Sequence, residues 1–112
     1  MAQGTGSGKA SVTARELAGA AGIDDTAELM KLAGNSTRLK LLYLLESLTE
    51  VSVSDLSELL GVSVSAVSQH LSKLRAHGLV SSRRDAQTIY YRLAEHEFIG
   101  RLREEYFGAW AS

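Results

Sequence analysis

Gln69, Ser65, Ser68 and Ser72 carry hydrogen-bonding groups without charge, and at about 3.6 residues per turn they fall on one side of a helix. A carboxamide donates and accepts at once, the combination that pairs with the edge of adenine in the major groove of duplex DNA, and a serine hydroxyl serves in either role. Around this set stand Ser63, His70, Lys73, Arg75, Arg83 and Arg84, while no Asp or Glu occurs between Gly61 and Arg84 in a chain of net charge −1. Cations kept clear of acid are what phosphate neutralisation requires. These ten residues are therefore the expected DNA-contacting surface, with Gln69 and the serines reading bases and Lys73, Arg75, Arg83 and Arg84 meeting phosphates or an adjacent minor groove.

Other chemistries find less support. The chain has no cysteine, which removes disulfides, thiolate ligands and a thiol nucleophile. A metal would need nitrogen and oxygen donors, and Glu95, His96 and Glu97 are the candidate set, suited to nickel or zinc. Against it, three consecutive helical residues do not face one way. The three histidines sit on separate segments with no nucleophile elbow or nucleotide fingerprint, so an enzyme is not expected. Gly8-Lys9 fails as a phosphate loop because Gln3 and Ala10 stand where Gly and Ser or Thr are needed. No apolar run approaches the roughly 18 residues that cross a bilayer, so a cytoplasmic protein without membrane contact is expected.

The elements that must position the polar face can be read from periodicity and punctuation. Residues 1–10 are small and polar and are expected to form a disordered tail, with one domain over 11–112. An alanine-rich stretch, Ser11 to Gly22, forms a loose helix. Asp25-x-x-Glu28 suggests a capped helix to Ala33, and Asn35 or Ser36 caps a helix rich in leucine from Leu39 to Leu48. Ser54 to Leu60 is a short helix stopped by Gly61. Ser63 caps another that runs to about Ala76, with Val64, Val67, Leu71 and Leu74 as its buried stripe. Leu79–Ser82 and Ile89–Leu93 read as a hairpin, and Glu95 to Trp110 as a terminal helix with more apolar surface than a monomer needs. The fold class expected is mainly α with a small β-hairpin wing, a winged helix-turn-helix that pairs as a homodimer.

The run Leu56 to Leu93, with Thr37-Arg38-Leu39, Ala66-Val67-Ser68, Leu74-Arg75-x-x-Gly78-Leu79-Val80 and Tyr90-Tyr91, resembles the winged-helix metalloregulatory repressors of the ArsR/SmtB family. The resemblance implies a dimer that binds an inverted-repeat operator through the helix from Val64 to Ala76 and the wing. It also implies dimer contacts from the first and last helices, here Leu29, Leu32, Ile99, Leu102, Tyr106 and Trp110. Ser52 and Ser54 occupy places where thiol-dependent members carry cysteine, so sensing of soft metals there is not expected. Gly108 and Ala111 stand where the second half of a terminal-helix metal site would lie, and Ala86 replaces a glycine at the wing tip. Two alternatives share the fold. One is a regulator answering to a small molecule or a co-regulator protein instead of a metal; the other is a winged helix used for protein–protein assembly.

Overall fold

The computed structural model describes residues 12–111, so the expected tail and the Gly8-Lys9 motif lie outside the described residues. Five helices come first: α1 (Ala14–Ala18), α2 (Ile23–Ala33), α3 (Ser36–Leu48), α4 (Val53–Leu60) and α5 (Val64–Ala76). A hairpin of β2 (Val80–Asp85) and β3 (Thr88–Leu93) follows, joined by β1 (Val51–Ser52) in the antiparallel order β1–β3–β2. The chain then runs through α6 (Glu97–Leu102), a π-helical turn (Arg103–Phe107) and α7 (Gly108–Trp110). This is the winged helix-turn-helix expected from the sequence.

The helix starts follow side-chain chemistry at most ends. Asn35, Ser52 and Ser63 each accept a backbone N–H three residues on, at 3.0–3.1 Å, which satisfies donors that the first turn leaves open. At α2 the chemistry differs from expectation. The helix begins at Ile23 behind Gly22 with no side-chain cap, and Asp24 and Asp25 lie inside its first turn, where their charge favours the helix dipole. Between α4 and α5, Gly61 adopts φ 67°, which glycine reaches without the cost a Cβ imposes.

The core forms where α3, α4 and α5 meet. Leu41 and Leu42 of α3, Leu56 of α4, Val67, Leu71 and Leu74 of α5, and Leu79 are fully buried, with Leu45 nearly so. Truncating one such leucine to alanine costs about 2–5 kcal/mol. Tyr91 of β3 and Val51 of β1 pair across the sheet and close this core from the wing side.

Three details depart from the sequence reading. Val64 is half-exposed, so the inward stripe of α5 is only Val67, Leu71 and Leu74. The hairpin strands reach further than expected: Arg83, Arg84 and Asp85 belong to β2 and pair with Tyr90, Ile89 and Thr88. Only Ala86 and Gln87 are left to turn the chain, and Ala86 takes φ 56° to do so. In the terminal segment the π turn spends one extra residue, and Phe107 becomes the buried aromatic while Tyr106 stays exposed.

A left-handed alanine at an exposed tip stores strain of about 1–2 kcal/mol, part of which glycine would return as unfolded-state entropy. Ala86→Gly is expected to raise the unfolding free energy by roughly 0.5–1 kcal/mol, read as a higher urea midpoint at unchanged slope.

Candidate nucleic-acid interface

Ser65, Ser68, Gln69, Ser72 and Lys73 line one open cleft of about 440 Å³ on the outer side of α5. Their convergence follows from the stripe behind them: with Val67, Leu71 and Leu74 turned into the core, the helix can only present this face outward. Ser63 is committed elsewhere, because its hydroxyl oxygen accepts the Ala66 N–H and caps the helix. Val64 stands exposed in the first turn, an apolar addition to the face that the regular periodicity of the stripe conceals.

The four expected phosphate-binding cations are not equivalent. Lys73 sits at the edge of the cleft. Arg75 donates from Nη1 to Ser82 Oγ at 2.9 Å, tying the last turn of α5 to the base of the wing. Arg83 is held by Glu50, its Nε and Nη2 each 2.9 Å from a carboxylate oxygen, while its guanidinium lies 4.6 Å over the Tyr90 ring. The side-chain hydrogen bonds of this pair, more than its Coulomb attraction, hold the Glu50 carboxyl below the usual carboxylate range and raise the guanidinium. Arg84 makes no ion pair among the described residues and is exposed.

His70 sits half-buried at the flank of the face. Arg38 Nη1 lies 3.3 Å from its Nδ1, and Arg38 Nε donates to the Leu32 carbonyl. Burial first, then the neighbouring Arg38 and Lys73 cations, push the His70 imidazole below the usual histidine range. Arg38 and Glu50 are the residues that sequence reading leaves out. Each sits about 30 positions from its partner, and only the packing of α3 on α5 and the sheet register bring them together.

Glu95, His96 and Glu97 are not gathered into a donor set. His96 caps α6, its Nδ1 accepting the Phe98 N–H at 3.0 Å, which places the proton of the neutral ring on Nε2. Glu97 points to solvent and lies 3.8 Å from Arg101. Among the described residues no group of three or more His, Asp or Glu side chains could hold an ion. The nickel or zinc expectation therefore finds no fitting donor set.

Of the expected dimer residues, Leu32, Ile99 and Leu102 are buried in the protomer's own core, and Leu29 packs against it. Tyr106 and Trp110 stay outside and stack at 5.7 Å. With Met30, Leu39 and Phe98 they line an apolar cleft of about 440 Å³ between α2, α3 and the terminal segment.

Comparison with known proteins places this geometry. Residues 35–82 match the family described as bacterial regulatory protein, arsR family. The HTH-type transcriptional regulator YgaV of Escherichia coli is 36% identical over 89 residues, 77% of this chain and 90% of YgaV. The chain belongs to the ArsR family. The structure of HlyU from Vibrio cholerae is similar at a TM-score of 0.68 and 39% identity, covering 78% of this chain and 97% of that one. The nodulation protein NolR of Rhizobium meliloti is 61% identical over 54 residues, 46% of this ArsR-family chain and 44% of NolR. Against NolR and two further regulators the chain spans about half of the relative's length, between 44% and 63%. YgaV is named as a transcriptional regulator and HlyU of Vibrio cholerae as a transcriptional activator, neither as an enzyme. Among the described residues no helix is long and apolar enough to cross a membrane.

The His70 environment sets a pH dependence. The unfolded chain takes up this proton near the usual histidine value of about 6.5 and the folded chain only at lower pH, so stability is full above that value and falls as the pH drops through the interval below it. Urea denaturation between pH 7.5 and 5 is expected to show this decline, and His70→Gln to flatten it.

Proposed function

We propose that this ArsR-family chain is a sequence-specific transcriptional repressor that binds an inverted-repeat operator as a homodimer. The observation that carries the reading is the acid-free cleft of Ser65, Ser68, Gln69, Ser72 and Lys73 on a helix whose opposite stripe is locked in the core. A helix of this kind enters the major groove with its N-terminal residues against base edges. Gln69 pairs with an adenine, the serines bond bases or nearby phosphates, and the exposed methyls of Val64 suit a thymine methyl. Lys73 and Arg84 meet phosphates, and Arg75 does so while bracing the wing. Arg83 serves first as a strut, since a DNA phosphate would have to displace Glu50.

The homodimer is supported by the apolar cleft that Met30, Leu39, Phe98, Tyr106 and Trp110 leave open, which a second copy would cover with the same surface. Two copies of α5 then read half-sites about one helical turn apart. The family includes proteins named for arsenical and cadmium resistance. In this chain the response to nickel or zinc finds no support from the donors present, and the regulatory input is a small molecule or a co-regulator protein acting on the same dimer.

Three measurements test the reading. In a binding series on a selected inverted repeat, Gln69→Ala is expected to lose about 1–3 kcal/mol at particular base pairs and to relax preference there, whereas Arg84→Ala weakens every duplex alike. Affinity should fall with salt at a log–log slope of roughly −0.9 per phosphate neutralised; a protein that binds no duplex in dilute buffer overturns the reading. Titrating nickel or zinc into the protein–duplex complex is expected to leave affinity unchanged, because the described residues bring together no ligand set that could couple an ion to the duplex.

A further inference from the structure

The Arg38–His70 contact fixes a chemical state as well as a position. A guanidinium offers donors only and stays protonated, so at 3.3 Å from Arg38 Nη1 the His70 Nδ1 must supply a lone pair. A neutral imidazole carries one N–H, which is then on Nε2. The two nitrogens direct their bonds to diverging edges of the ring, so with Nδ1 turned to α3 the Nε2–H points away from it. No group among the described residues accepts from Nε2. Among the described residues the charges that act on the ring are Arg38 from α3 and Lys73 from its own helix, both cations. At about 100° per residue, His70 lies off the Ser65–Gln69–Ser72 face, on the flank it shares with Lys73. Groups on that flank meet the wall of the groove rather than its floor.

We propose that His70 donates its Nε2–H to a backbone phosphate oxygen of the bound duplex, and that Arg38 is the positioning residue that holds the ring in the donating tautomer. This rests on the reading of α5 as the groove-entering helix. Arg38 also bonds the Leu32 carbonyl, so one guanidinium links the end of α2 to the orientation of a DNA contact.

Asparagine and glutamine separate the two edges of the ring. His70→Asn keeps an acceptor near the Nδ1 position for Arg38 but has no distal donor; His70→Gln places an amide donor near the Nε2 position. In anisotropy titrations on the selected duplex, His70→Gln is expected to bind within about twofold of the unaltered protein. His70→Asn should lose about tenfold on all sequences alike, the size of one hydrogen bond to a charged partner. Arg38→Met should lose a similar factor, with no further loss in the Arg38→Met/His70→Asn double variant. Nitrogen-15 NMR of the free protein is expected to show His70 protonated on Nε2 alone, a readout independent of DNA. An Nδ1–H signal, wild-type affinity in His70→Asn, or a loss confined to particular base pairs would each overturn the proposal. Should the unaltered protein bind no duplex while the NMR signature stands, it is the groove-entry reading, and with it the phosphate contact, that fails.

Discussion

The rotation of α5 about its own axis is set by Val67, Leu71 and Leu74, all fully buried against α3 and α4. Turning the helix by even one residue would bring a serine into the core and expose a leucine, at a cost of a few kcal/mol for each misplaced group. That constraint aims Gln69 and its neighbouring serines without any contact between them. The polar side chains are free to be short and uncharged because they need not hold the helix in place.

The wing depends on a second constraint, the register of a three-stranded sheet. Ser52 opposite Tyr90 and Arg83 opposite Tyr90 put Glu50 within reach of Arg83 across β3. The pair is solvent-exposed, and such pairs contribute little to stability. Its effect is geometric. It sets where the hairpin stands relative to the end of α3, while Arg75 and Ser82 fasten the other side of the wing to α5.

Much of this was legible in the residues. The caps at Asn35 and Ser63, the stop at Gly61 and the spacing of Val67, Leu71 and Leu74 are local signals, and each sits where periodicity puts it. What local patterns leave out is contact between distant segments. Val64 continues the stripe in sequence but stands in the first turn of α5, where it is half-exposed. Arg83 reads as a phosphate contact, and the sheet register also sets it against Glu50, a partner no local pattern announces. His96 reads as a ligand, and in the fold its Nδ1 accepts the Phe98 N–H as a helix cap. Leu32, Ile99 and Leu102 read as an interface because apolar spacing does not tell a protomer's own core from a seam between copies.

The π turn at Arg103–Phe107 bears on how the terminal segment divides its aromatic side chains. Phe107 fills the interior while Tyr106 and Trp110 stack outside it, an allocation that depends on counting five residues to the turn instead of four. Winding the same residues as an ordinary α-helix would exchange the two roles, with the phenolic hydroxyl carried inward and Phe107 left outside, whereas deleting one residue between Arg103 and Glu105 would allow α winding with Phe107 still inward. The inserted residue thus works as a phase corrector, returning the last turn to the same inward direction that Ile99 and Leu102 set before it.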